Sequence, residues 1–155
     1  MNTPAKNSVK RSGFRPALAR STQPKPITLH REINIVDGFM YREEPVQFAG
    51  KAYSVPAGMR LAIVSVSGAL DLPVGQSAFR VSFRSEKNGI SNPQHWLLPM
   101  PVATNYTNAD FYIIDEKQVR AFVEQGESIV LAVTRTGFTG QANIQVTLTA
   151  YLLDS

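Results

Sequence analysis

The sequence predicts an all-β protein: an antiparallel β-sandwich, with a jelly roll as its more specific form, carrying an extended basic N-terminal arm. Three observations predict it. First, Ala142, Ile144, Val146, Leu148, Ala150 and Leu152 alternate with Asn143, Gln145, Thr147 and Thr149. Period-two alternation over so many positions marks a strand with one buried face. Second, turn residues recur at short spacing, at Asp37-Gly38, Pro56-Ala57-Gly58, Pro73 to Gly75 and Gly137 to Gly140. Closely spaced turns between short apolar runs predict a sandwich or barrel of about eight to ten strands. Third, residues 1–31 hold seven of the sixteen basic residues and no acidic one, a segment charge of +7. The other 124 residues hold nine basic and twelve acidic residues, a net −3, so a cationic arm precedes a mildly acidic body. Such asymmetry points to a tail with its own partner.

The arm is read as residues 1–26 and the sandwich as 27–155. Pro4, Pro16, Pro24 and Pro26 interrupt the arm, which has no sustained periodicity. Its interaction candidates are Lys6, Lys10, Arg11, Arg15, Arg20 and Lys25 for charge, with Phe14 and Leu18, four apart, as apolar anchors.

From Ile27 the pattern turns to strand: Ile27, Leu29, Arg31 and Ile33 alternate with Thr28, His30 and Glu32. Residues 39–48 read as an edge strand or a loop, because Pro45 lacks a ladder donor. Arg60 to Ser67 is a nearly continuous apolar, β-branched run, the pattern of a central strand apolar on both faces. Phe79, Val81 and Phe83 alternate with Arg80, Ser82 and Arg84. Residues 86–108 read as an irregular loop with Pro93, Pro99 and Pro101, holding His95, Trp96 and Tyr106. Asp110 to Asp115 reads as a strand. Residues 116–125 fit a short helix through Val119, Phe122 and Val123, and equally a strand through Val119, Ala121 and Val123. Ile129, Leu131 and Val133 take one face of the next strand, and Val130 and Ala132 the other. Val130, Leu131, Val133, Ile144, Val146 and Leu148 are the expected core.

At 155 residues the default is one domain. No run approaches the roughly 18 apolar residues of a membrane span. No signal-peptide core is visible, because Asn2, Lys6, Asn7, Lys10 and Arg11 break up the N-terminus. The chain has no cysteine, which excludes disulfides, thiolate metal sites and cysteine nucleophiles. His30 and His95 are the only histidines and have no zinc-ligand spacing. Asp110, Asp115 and Glu116 cluster in sequence, but no calcium-loop pattern surrounds them. No Gly-x-Ser-x-Gly, phosphate-loop or dinucleotide pattern occurs. No catalytic residue, metal or cofactor is expected. His30 is expected to face solvent; His95, beside Trp96, is either a packed loop residue or part of a binding loop.

The stretch Val55-Pro56-Ala57-Gly58-Met59-Arg60-Leu61, with Val66-Ser67-Gly68 and Leu72-Pro73-Val74-Gly75-Gln76 after it, resembles small bacterial β-sandwich proteins of uncharacterised function. So does Val119-Arg120-Ala121-Phe122-Val123-Glu124-Gln125-Gly126, closed by Val146 to Asp154; the likeness covers residues 53–154. These are turn and strand patterns, and they imply a fold and no chemistry. A basic, proline-containing arm before a sandwich also resembles the plan of viral coat and decoration proteins, an analogy of architecture.

The expectation is a non-enzymatic subunit or accessory protein of a larger assembly such as a phage or virus particle, in a virion or cytoplasmic assembly. Its partners would be protein subunits, as a homo-oligomer or larger assembly. The arm would dock on neighbours, contact nucleic acid non-specifically, or serve only as a solubilising tail. The alternative is a bacterial surface or secreted module that binds carbohydrate through residues 87–108, with His95, Trp96 and Tyr106.

Overall fold

The computed structural model describes residues 23–103, 109–116 and 119–155, with only the backbone of Phe79 and Glu116. Among these residues the regular structure is entirely strand. In chain order the strands are β1 (Lys25–Ile35), β2 (Tyr41–Pro45), β3 (Gln47–Phe48), β4 (Lys51–Ala52), β5 (Met59–Pro73), β6 (Ala78–Lys87) and β7 (Ile90–Ser91). They continue with β8 (His95–Leu97), β9 (Met100–Val102), β10 (Ala109–Glu116), β11 (Ala121–Val123), β12 (Ser128–Arg135) and β13 (Ala142–Asp154).

These form two antiparallel sheets. The larger runs β4-β3-β1-β13-β5-β10-β9, with β11 also paired to β5; the smaller runs β2-β12-β6-β7, with β8 also paired to β6. The inner faces of both sheets share one apolar core, as the sequence predicts for a sandwich. The sandwich is borne out; its jelly-roll form is not.

The alternation of β13 is realised position by position. Ala142, Ile144, Val146, Leu148 and Ala150 are buried and contribute to that core. On one side β13 pairs with all eleven residues of β1, and on the other with β5. The run of β5 departs from the sequence expectation. Leu61 and Ile63 are buried, then Val66, three residues on, and then Leu70 and Leu72. The register against β13 shifts between Ala150–Ile63 and Thr149–Ser65, leaving Val64 as the extra residue of a β-bulge. The bulge makes a one-faced strand look apolar on both faces in sequence.

β12 is buried on both sides. Ile129, Leu131 and Val133 face the core, while Val130 and Ala132 are buried on the outer face. There a bidentate ion pair joins Arg84 of β6 to Glu43 of β2, with N–O distances of 2.6 and 3.0 Å, across the intervening β12. The Tyr41 hydroxyl also donates to Glu43. The arginine stem and this pair cover Val130 and Ala132. All six expected core residues are buried, although Val130 lies outside the shared core.

One open reading is decided and two sequence expectations change. Residues 116–125 hold a strand, β11, whose register against β5 fixes Ala121 and Val123 inward. Residues 86–108 are not one loop, since β7, β8 and β9 lie within them. β1 takes in Lys25 and Pro26, which pair with Leu152 and Tyr151.

Candidate interaction site

The two ends of the sandwich differ, and β1 shows how. It starts at Lys25 at one end and finishes at Ile35 at the other, about 35 Å away for eleven extended residues. Residues 1–22 therefore join the body at the Lys25 end. Among the described residues the opposite end is made of 36–40, 74–77 and 136–141, which connect β1 to β2, β5 to β6 and β12 to β13.

A buried arginine organises that opposite end. Arg135 continues the inward phase of Ile129, Leu131 and Val133 and is 0% exposed. Its guanidinium donates to the carbonyls of Phe39 at 3.0 Å, Val36 at 3.2 Å and Thr139 at 3.3 Å. Its backbone N–H donates to the Met40 carbonyl at 2.9 Å. Burial pushes Arg135 down from the usual arginine value, and the nearby Asp37 carboxylate opposes that shift. A buried cation is tolerable because oriented carbonyl dipoles replace its water.

Gln76 adds a second pin. It is buried and donates from Nε2 to the Thr139 carbonyl at 2.8 Å. Further bonds lock the loops together: Gly38 N–H to the Phe138 carbonyl at 2.6 Å, and Gly140 N–H to the Asp37 carboxylate at 2.7 Å. Gly75 N–H is capped by Asp110 at 2.7 Å.

Fixing these backbones turns apolar side chains outward. Phe39 is 60%, Phe138 61%, Val74 60%, Val36 44% and Met40 42% exposed. Clustered exposed apolar groups on a soluble domain mark an interaction site more often than scattered ones do. The three loops carry Asp37 and no lysine or arginine, and Asp71 and Asp110 stand beside them. The surface is apolar and held by these bonds, and the strand ends around it carry arginines (Arg42 and Arg80) as well as acids.

The residues singled out in sequence are not brought together. Lys6, Lys10, Arg11, Phe14, Arg15, Leu18 and Arg20 lie outside the described residues, as does Tyr106. Lys25 is exposed at the start of β1. His95 and Trp96 are neighbours on β8, so they point to opposite faces. His95 lies opposite Phe83 and stacks on its ring, with centroids 4.9 Å apart. It lines a groove of about 320 Å³ with Asn92, Pro93 and Phe122. Trp96 is 56% exposed on the outer face of the smaller sheet. The Arg80 guanidinium stands 5.5 Å from its ring centroid, and a hollow of about 150 Å³ beside it is lined by Tyr41, Ser82 and Gln94.

His30 faces outward on the larger sheet, as expected, with Nδ1 3.2 Å from the Thr147 hydroxyl. A shallow hollow of about 430 Å³ there has Gly68 and Gln145 in its lining. Asp110 and Asp115 lie towards opposite ends of β10, about 16 Å apart along the strand. Among the described residues no three His, Asp or Glu side chains group as a metal site, and no helix is long and apolar enough to cross a membrane.

The apolar end was missed in sequence, although one signal for it exists. Arg135 falls two residues after Val133, in the phase of a buried face, just before a Gly-containing turn. A charge in that position implies a buried partner set.

No protein-family model matches the chain, and no curated protein matches it. Among solved structures, the fold is similar to a chain described as the Cyanophage Pam1 capsid asymmetric unit. That likeness has a TM-score of 0.46 and 13% identity, covering 96% of this chain and 99% of that one. At this level it is a likeness of general architecture alone.

Proposed function

We propose that this protein is a non-enzymatic structural subunit or accessory protein of a larger assembly, of the coat or decoration kind found in phage and virus particles. Its basic arm docks on neighbouring protein subunits. The observation that carries the reading is the division of charge: five cations without an acid in residues 1–22, ahead of β1, against −1 in the rest. A segment so unlike its own body is suited to another surface. The rigid apolar end supports the same reading, because a subunit needs a surface that a monomer leaves bare. The non-enzymatic part is supported by the histidines, which sit on different sheets, His30 beside a threonine hydroxyl and His95 on a phenyl ring.

Light scattering of the full chain tests this directly. An oligomer or polymer whose mass falls when residues 1–22 are removed is the expected result. A monodisperse monomer at assembly-relevant concentration overturns it.

A second reading has one specific observation behind it. Trp96 is largely exposed beside Gln94, Ser82 and Tyr41, a flat ring next to polar groups of the kind a sugar face uses. It ranks second because Arg80 already stands over that ring. Trp96 is the chain's only tryptophan, so a fluorescence titration with soluble oligosaccharides reads this surface alone.

A further inference from the structure

We infer that the apolar end of the sandwich is the receiving surface for the arm of a second copy of this chain, with Phe14 and Leu18 seated against Phe39 and Phe138. The inference rests on the assembly reading above and adds to it which surface is engaged, by which segment and from which copy.

The chemistry of the two sides matches. The surface offers exposed phenyl rings from the 36–40 and 136–141 loops, held by the bonds of Arg135 and Gln76. Its loops carry Asp37 and no lysine or arginine, while the adjoining strand ends carry Asp71 and Asp110 as well as Arg42 and Arg80. The arm offers Phe14 and Leu18 flanked by Arg11, Arg15 and Arg20, with no acid. Apolar anchors supply affinity at the centre, and Asp37 opposite the arm's arginines adds steering. Preformed loops also lower the entropy lost on binding.

Chain length selects the copy. The arm enters the body at Lys25, and the receiving loops begin beyond Ile35, about 35 Å away along β1. Leu18 is seven residues from Lys25, a reach of about 25 Å at full extension. It therefore cannot arrive at the apolar end of its own body. Phe14, eleven residues away, would arrive only as a fully stretched chain of about 36–40 Å. Both anchors can be seated together only on another copy. Because arm and receiver occupy opposite ends, the contact joins two different surfaces. It closes as a reciprocal arm exchange between two antiparallel copies, or repeats head to tail into a ring or filament.

The absence of cysteine gives a clean test in the full chain. Three single variants are made: Phe14→Cys, Phe138→Cys, and Phe122→Cys as a control. Phe122 is 59% exposed on β11, which pairs with the Leu61–Ile63 segment of β5, towards the Lys25 end. Mixed under a mild oxidant, F14C with F138C should form a disulfide-linked pair about tenfold or more faster than F14C with F122C, because docking raises the local concentration of the two thiols. A Phe39→Ser/Phe138→Ser double variant, changing two exposed rings, should keep the wild-type melting temperature and weaken self-association about tenfold or more.

Equal coupling to F138C and F122C, in a wild-type protein that is oligomeric, overturns this inference and leaves the assembly reading standing. So does a F14C/F138C double variant that closes a disulfide within one monomer. A wild-type chain that stays monomeric overturns both.

Discussion

The Arg135 guanidinium donates to the Phe39 carbonyl at 3.0 Å from a side chain that is 0% exposed, joining the end of β12 to the loop after β1. The same group reaches Val36 and Thr139, so one cation holds two loops that lie about a hundred residues apart in sequence. Arg135→Met keeps much of the volume and removes every donor. It leaves three carbonyls without their partner, at about 1–3 kcal/mol for each that water cannot reach. We expect a total loss of roughly 3 kcal/mol or more in urea unfolding. Hydrogen exchange should also rise selectively at Gly38 and Gly140. An unchanged urea midpoint would show that the buried guanidinium does not hold this end.

Leu148 is fully buried and pairs with Leu29 on one side and Val66 on the other, both also buried. Leu148→Ala should cost about 2–5 kcal/mol, the range for an incompletely collapsing cavity. A loss under about half a kcal/mol would mean that the register is wrong, since a one-residue slip turns this side chain to solvent.

Gly68 pairs with Val146 of β13 and Ile114 of β10, in the middle of the larger sheet. A Cβ there would stand 2.6 Å from the Gln145 carbonyl oxygen, which is backbone and cannot swing away. Gly68→Ala should therefore destabilise the protein, by about 1–3 kcal/mol as an overpacked site, even though alanine suits strands better than glycine does. A melting temperature equal to or above wild type would disprove the close approach.

Much of the fold is legible in the chain because its strands bury one face at period two; β13 shows that pattern without interruption, and β1 shows it with only Arg31 breaking its inward phase. The failures have separate physical causes. Val64 is extruded by a bulge, so β5 looks apolar on both faces when only one packs. Val130 and Ala132 are buried beneath an ion pair between two other strands, which no local pattern announces. β8 is three residues long and exists because His95, Trp96 and Leu97 pair with Phe83, Ser82 and Val81. A short strand stabilised from outside itself leaves no periodic trace, so it reads as loop. For the site, sequence shows the unusual arm, whereas the receiving end emerges only when three distant loops are drawn around Arg135.

The Glu43–Arg84 pair gives a pH dependence with a definite sign. The hydrogen bonds from Arg84 hold the Glu43 carboxyl below its ordinary value of 4.5, outweighing the upward push of partial burial. A depressed folded-state value means that the contribution is fully present above about 4.5 and is lost as pH falls through the folded value. Glu43→Gln should cost about 1 kcal/mol at neutral pH, modest because the carboxylate retains solvent contact. The stability difference between variant and wild type should close in acid. A difference that persists unchanged to pH 2 would assign the loss to packing rather than to charge.

The last prediction concerns the arm. Removing residues 1–22 should leave the body folded, because β1 begins at Lys25 and its whole ladder with β13 is retained. Cutting to residue 27, by contrast, would delete the Lys25–Leu152 and Pro26–Tyr151 pairs and confuse loss of the arm with fraying of β1. Self-association should weaken, since the deletion removes Phe14, Leu18 and five cations together. Changing Lys6, Lys10, Arg11, Arg15 and Arg20 to glutamine while keeping Phe14 and Leu18 then separates the mechanisms. An arm that docked on phosphate would lose nearly all its affinity and most of its salt slope, which for these five cations would approach about −4. An arm seated on an apolar protein surface should lose only the rim contribution and keep a measurable, weakly salt-dependent association. Light scattering across a salt series reads both. A melting temperature and an oligomer mass both unchanged by the deletion would reduce the arm to a solubilising tail. A collapsed melt would make it part of the domain.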